Sequence, residues 1–378
     1  MTEKSSVPLK EIAGLFLKLG IIGFGGPAAH IAMMQDEVVA KRKWFSEQHF
    51  LDLIGATNLI PGPNSTEMAI HIGYEKGGWK GLLVAGLCFI SPAVLITAFL
   101  AWSYKEYGQT PAVQPFLYGI KPAIIAIIIA AVYPLAKKSL KTVTLALIGL
   151  LVLLGSLLHY YEIYLLFGAG FVGLFLKYWN SNRAFRSNCM LPLVALPTTA
   201  GTLLASSNAK LFWIFLKIGA ILYGSGYVLF AFLDTELVAT GLLTRQQLID
   251  AIAIGQFTPG PVFSSVTFIG YQINDWTGAI VASVGIFLPS FVFVALLNPL
   301  VSKMRNSVLF AAFLDAVNVA SVAIIVSVCW SMGAESILDW KTLLIAVLSM
   351  LILFSYKKLN SVLVVVGSSL LGYLLSLI

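Results

Sequence analysis

The sequence predicts an all-α polytopic membrane protein built from two inverted structural repeats with broken, re-entrant helices. Three observations predict it. Hydrophobic residues make up 58% of the 378 residues and charged ones only 11%, with a mean hydropathy of +0.90. A soluble domain carries about twice that charge. The chain also states one pattern twice: Phe16-Leu17-Lys18-Leu19-Gly20 returns as Phe215-Leu216-Lys217-Ile218-Gly219. Glu37 returns as Glu236, Asp52 as Asp250, Pro61-Gly62-Pro63 as Pro259-Gly260-Pro261, Gly73-Tyr74 as Gly270-Tyr271 and Pro92 as Pro289. Finally, glycine and proline interrupt apolar stretches at matching places in the two halves. Such twinned interruptions mark secondary carriers made of structural repeats.

The apolar runs are the first elements to justify. Gly81–Trp102, Pro115–Ala136, Thr142–Leu158, Thr277–Leu300, Val308–Trp330 and Ser361–Ile378 each read as a membrane crossing, since roughly 20 apolar residues cover about 30 Å of hydrocarbon. Residues 1–190 form the first repeat, 191–210 a weak linking span and 211–378 the second. The first eight residues are polar and lack the apolar core of a signal peptide, so they are expected in the mature chain.

The breaks come next. Each repeat opens with Gly23-Phe24-Gly25-Gly26-Pro27 or its counterpart Leu222-Tyr223-Gly224-Ser225-Gly226. A second break follows at Asn58–Asn64, matched by Gln256–Val262. A helix cannot run straight through Pro-Gly-Pro, because proline lacks the donor and clashes with the preceding turn. The arms beside that break are short, roughly 18–22 Å at 1.5 Å per residue, so they read as re-entrant half-helices. Irregular backbone at such depth must be buried in protein or line a wet cavity.

Orientation follows from basic residues, which favour the cytoplasmic side. Lys41-Arg42-Lys43, Lys76/Lys80, Lys137/Lys138/Lys141, Lys177/Arg183/Arg186, Lys303/Arg305 and Lys357/Lys358 all fall on one face if nine full spans and four broken elements are counted. His159, Glu162, Asp234, Glu236, Arg245, Asp275, Glu335 and Asp339 fall on the other. The N-terminus is then cytoplasmic and the C-terminus outside. The net charge of +7 is explained by these loops and gives no reason to expect nucleic acid. Cys88, Cys189 and Cys329 lie far apart and form neither a disulfide framework nor a metal set. No phosphate-binding loop, zinc motif or serine elbow is present, so no enzyme, cofactor or metal is expected.

Several residues could carry chemistry. Asn64-Ser65-Thr66-Glu67 opens a half-helix just past Pro61-Gly62-Pro63, and a first turn exposes unpaired N–H groups where the helix dipole favours an anion. Asn64 or Ser65 could equally serve only as the cap of that helix. Gln256, Thr258, Pro259 and Gly260 repeat the arrangement in the second half. Gly25, Gly26 and Pro27 would open a third helix start, with Gly224 its counterpart. Lys18 and Lys217 sit at matching places inside apolar helices, and Lys121 near the end of another. Each either supplies positive potential to the site or snorkels to the interface. Glu67 and His71 lie one turn apart, and His30 follows the first break. These three are candidates to carry a coupling proton, the rival for the first two being an ordinary interfacial ion pair.

Phe24-Gly25-Gly26-Pro27-x-x-His30 and the run from Pro61 to Tyr74 resemble the first domain of the chromate ion transporter family. Gly255-Gln256-x-Thr258-Pro259-Gly260-Pro261 resembles its second, and Gly119-Ile120-Lys121-Pro122-Ala123 also fits. The likeness spans both halves, although Gly224-Ser225-Gly226 lacks the proline of its partner. The resemblance implies a bacterial inner-membrane carrier that exports chromate, confers chromate resistance, accepts sulfate as a look-alike, and runs on a proton gradient or anion exchange. An anion channel with the same site is the alternative. A tetrahedral dianion suits converging helix starts, backbone N–H groups and one or two lysines. The lipid bilayer is the other expected partner, and a homodimer is compatible with the pattern.

Overall fold

A computed structural model describes residues 7–24, 26–108, 110, 114–181, 207–223, 226–305, 307–356 and 361–377. Every regular element among them is helical. The linking span placed at 191–210 lies outside the described residues up to 206.

The first repeat opens with α1 (Leu9–Ile22), α2 (Gly26–Gln35) and α3 (Glu47–Thr57). The breaks fall where glycine and proline put them: α1 stops at Gly23, and α2 starts at Gly26 with Pro27 in its first turn. The Pro-Gly-Pro segment separates α3 from α4 (Asn64–Tyr107). Helix α4 is two arms, not one rod. Gly78 is non-helical (φ 60°, ψ −149°), and a Cβ built on Gly73 would lie 2.4 Å from the carbonyl oxygen of Gly81. Residues eight apart in a straight helix are about 12 Å distant, so the chain folds back there. The first arm is the predicted half-helix, and the second is a full crossing. The rest of the half is α5 (Gln114–Ser139), α6 (Val143–Leu157) and α7 (Glu162–Ser181).

The second repeat copies this plan with α8 (Ser207–Ile221), α9 (Val228–Leu233), α10 (Arg245–Phe257) and α11 (Ser265–Arg305). Helix α11 folds back at Asn274–Asp275, and Gly270 meets the Gly278 carbonyl as Gly73 meets Gly81. Only small residues permit such an approach of two helices. Then come α12 (Val308–Ser336), α13 (Trp340–Ser355) and α14 (Ser361–Ser376).

The repeats are inverted. The crossing arms of α4 and α11 are equivalent elements, yet they run antiparallel. Gly86 meets the Phe291 ring, whereas further along α4 Lys105 binds Asp275, further back along α11, at 2.5 Å. Polar contacts respect the two faces read from charge. Arg245 binds Asp234 and Glu335, and Thr235 donates to Glu162, all on one face. On that face the Thr342 amide and Tyr118 hydroxyl donate to Asp339, holding its carboxyl below the usual range.

Among the described residues, five helices are long and apolar enough to cross a membrane. The expected spans Thr142–Leu158 and Ser361–Ile378 prove shorter. Helices α6 and α14, with 15 and 16 residues, reach roughly 23–24 Å. Thr142 caps α6 at one end, and His159 in the left-handed region terminates it at the other. Short spans are accommodated by local thinning of the bilayer or by snorkelling side chains.

Candidate functional site

The two Pro-Gly-Pro segments hook the opposite repeat. The Gly62 amide donates to the Leu222 carbonyl at the end of α8 (2.8 Å), and the Gly260 amide donates to the Gly23 carbonyl at the end of α1 (2.6 Å). Both pairs join equivalent positions, so the contact is reciprocal. Gly62 and Gly260 were placed among the candidate binding residues. They instead tie the repeats together, because a helix end buried at this depth needs its carbonyls satisfied. His30 reinforces one hook: its Nε2 donates to the same Gly23 carbonyl at 2.9 Å.

Beside the hooks lies a set of buried polar groups. Helix α4 begins at Asn64 with Pro63 as its cap residue, and Asn64 does not cap it. The Asn64 side chain donates across the break to Asn58 at 2.8 Å. The Thr66 and Glu67 amides bond to the Pro63 carbonyl, which leaves the Asn64 and Ser65 amides ahead of the helical ladder. Ser65, Thr66, Glu67 and His71 are buried. A Cβ on Gly62 would lie 2.4 Å from Glu67 Oε1 and 2.7 Å from Ser290 Oγ, so carboxyl and hydroxyl converge on that α-carbon. Among the described residues, Thr66 Oγ1, both Glu67 oxygens, both His71 nitrogens, Ser265 Oγ, Ser290 Oγ and Gln256 Nε2 have no hydrogen-bond partner. The interfacial Glu67–His71 ion pair is therefore not formed. Each buried unpaired group costs about 1–3 kcal/mol, so a cluster of them is the strongest structural mark of a site on this chain.

The two breaks differ in access. Asn58 is exposed and Asn64 half-buried, whereas their counterparts Gln256 and Val262 are buried, as is Thr258. A polar cluster locks the α10 side. Asp250, 2% exposed, accepts from the Tyr104 hydroxyl at 2.6 Å and from Gln246 at 3.3 Å. Lys121 Nζ lies 3.7 Å from the same carboxylate. The counterpart Asp52 is half-buried and accepts from Gln48 at 3.3 Å. Sequence reading took Asp250 only as a repeat marker, and two of its partners, Tyr104 and Lys121, come from helices far away in the chain.

The lysines in α1 and α8 point elsewhere. Lys18 Nζ donates to Glu37 Oε1 at 2.8 Å, and Lys217 Nζ to Glu236 Oε1 at 2.6 Å. Both glutamates sit on π-helical turns, at Asp36–Lys41 and Asp234–Val238. Such turns occur often at functional positions, and no sequence pattern announced them. Neither lysine is brought to the hooks as free positive charge. The pairs are unequal: Glu37 also meets Lys41 and Arg42, whereas Glu236 has Lys217 and the Tyr161 hydroxyl. Lys217→Met should therefore cost about 2–3 kcal/mol by leaving a buried carboxylate without a cation. Lys18→Met should cost under about 1 kcal/mol. Thermal unfolding of the two purified variants in detergent checks the order. Gly25 and Gly224 lie outside the described residues. Gly26 and Pro27 are half-buried.

Two segments, residues 10–174 and 209–373, each match the family described as "Chromate transporter". The chain belongs to the chromate transporter family. It is therefore a multi-pass membrane protein of a transporter family, with the two matches falling on the two structural repeats. It is 30% identical over 372 residues to a probable chromate transport protein of Synechococcus elongatus, covering 96% of this chain and 95% of the relative. It is 31% identical over 372 residues to a chromate transport protein of Cupriavidus metallidurans, covering 96% and 92%. An uncharacterized transporter of Methanocaldococcus jannaschii is 28% identical, with 99% and 96% covered. No solved structure matches the chain.

Proposed function

We propose that the chain is a secondary active carrier that exports chromate across the bacterial inner membrane and confers chromate resistance. The observation that carries this reading is the convergence of the unpaired Glu67 carboxyl and Ser290 hydroxyl on the Gly62 hook, with the unpaired Thr66 hydroxyl in the same first turn. Hydroxyls of Thr66, Ser265 and Ser290, the Gln256 amide and the first-turn amides of Asn64 and Ser65 suit a tetrahedral oxyanion. Gly62 and Gly260, with their flanking prolines Pro61, Pro63 and Pro259, shape and hold the site, and Thr258 lies on the closed side. Lys121, loosely paired, supplies positive potential. Glu67, His71 and His30 are the groups available for coupling to protons.

Unequal access to the two breaks supports alternating access. In a pair of inverted repeats, exchanging the two environments gives the opposite state. In this reading the described state is open on the Asn58 side, which basic loops place in the cytoplasm, and closed by Asp250 on the other. A closed side also disfavours the channel reading.

The test is chromate uptake into proteoliposomes under imposed pH and voltage gradients. Gradient-dependent uptake is expected. A site made of neutral donors around a tetrahedral dianion should discriminate poorly, so sulfate in excess should reduce chromate uptake several-fold. Uptake that ignores both gradients, or that sulfate leaves untouched at large excess, refutes the respective parts of the proposal.

A further inference from the structure

We propose that Glu67 takes up one proton with each dianion bound at the crossing, so that this carboxyl, rather than His71 or His30, links anion to proton movement. The inference rests on the anion-carrier reading above and specifies its coupling site.

Glu67 is fully buried, and neither oxygen has a hydrogen-bond partner among the described residues. The lysines that could have neutralised it are committed to other carboxylates: Lys18 to Glu37, Lys217 to Glu236 and Lys121 to Asp250. Its surroundings supply no charge. From α11 comes Ser290, whose hydroxyl converges with it on Gly62. From the segment after α8 comes Tyr223, which lies within the electrostatic reach of the carboxyl. On its own helix, His71 is one turn on. An ionised carboxylate here would repel a dianion across a few ångströms of low-dielectric protein, where the interaction is far stronger than in water. A protonated carboxyl instead offers an O–H donor to the oxyanion. Anion and proton therefore favour each other's binding and move in the same direction; the complex, one negative charge fewer than the anion alone but still net negative, is driven outward by an inside-negative voltage and not by an inward proton gradient.

Position separates Glu67 from the histidines. His71 lies about 6 Å further along the helix axis, away from the hook. His30 is occupied with the Gly23 carbonyl and acts as a structural post. The second repeat has Ser265 where the first has Glu67, so this position can change charge in one repeat and not in the other. Because the carboxyl touches the hooked α-carbon of Gly62, its charge state is also felt at the contact between repeats.

Titration calorimetry of chromate into the purified full chain decides the matter. It is run at alkaline pH, where chromate is wholly dianionic, in two buffers of different protonation enthalpy. The wild-type chain should take up one proton per chromate, and its Kd should rise up to about tenfold per pH unit. Glu67→Gln should abolish the uptake and the slope. Glu67→Asp and His71→Gln should keep both. Chromate binding without proton uptake by the wild type overturns the proposal, while leaving the carrier reading intact. Uptake that survives Glu67→Gln, or vanishes with His71→Gln, also overturns it. A folded Glu67→Gln chain that binds no chromate counts against it too, since the amide mimics the neutral carboxyl. If Glu67→Gln does not fold, the wild-type, Glu67→Asp and His71→Gln arms still decide. A wild-type chain that binds no oxyanion in any buffer instead sinks the carrier reading.

Discussion

Gly62→Ala is expected to abolish chromate uptake and to destabilise the folded chain by about 2–5 kcal/mol, from backbone strain and overpacking together. Gly62 has φ +135°, where L residues are strained, and a new Cβ would meet Glu67 Oε1 at 2.4 Å and Ser290 Oγ at 2.7 Å. Neither atom can withdraw freely, since both side chains are fully buried. Relief then comes from a shift of the loop, which breaks the Gly62–Leu222 hydrogen bond and separates the repeats at their contact. Gly260→Ala should be milder. Its φ is +85°, and its Cβ would meet only the Ala93 methyl at 2.9 Å and backbone oxygens at 3.4 Å or more. Thermal unfolding and proteoliposome uptake measured on both variants test this. A Gly62→Ala chain with wild-type uptake would show that the hook is dispensable.

Lys121→Met should cost about 3 kcal/mol, at the low end for a broken buried pair, because the 3.7 Å gap already exceeds a hydrogen bond. It leaves the Asp250 carboxylate with only the neutral donors Tyr104 and Gln246. Asp250→Asn should be gentler, about 1 kcal/mol. The amide oxygen still accepts from Tyr104, and Lys121, with its side chain 20% exposed, can reach water. Its larger effect should be on access. With the ionic link gone, α10 is freer to leave α5, and a cysteine placed at Thr258 should react faster with a polar maleimide. A cysteine at Asn58 should slow as the population shifts. Unchanged labelling at both positions would show that Asp250 only stabilises the fold.

The relation between sequence and site is uneven. The places where helices stop, at Gly23, Pro61–Pro63 and Pro259–Pro261, were legible. They depend on local sterics that glycine and proline impose wherever they stand. The turn at Asn274–Asp275 was read from the charge of Asp275 and the span starting at Thr277, since neither residue breaks a helix by itself. Glu67 and His71 were legible as polar residues in an apolar setting. Their mutual pairing was the natural expectation from a one-turn spacing, and burial against the other repeat replaced it.

Lys18 and Lys217 show the limit most clearly. Their recurrence was read as a shared placing of positive charge near the centre, and Glu37 and Glu236 only as matching positions, since nothing local says that each lysine meets its own glutamate nineteen positions on. That pairing needs α1 and α8 to fold back beside the π-helical turns. The Asp250 cluster makes the same point across a longer range, drawing on three helices.

By itself the sequence determined the helical membrane class, the duplication, the inversion and the positions of the breaks. Each of these follows from composition, periodicity and local backbone preference, which act over a turn or two. Only the tertiary structure decided that the Pro-Gly-Pro amides bind the opposite repeat, that the lysines are neutralised, and that one break is exposed at Asn58 while its twin is buried at Gln256. Hydrogen bonds and charges in hydrocarbon must find partners, and which partner is within reach depends on how distant helices pack.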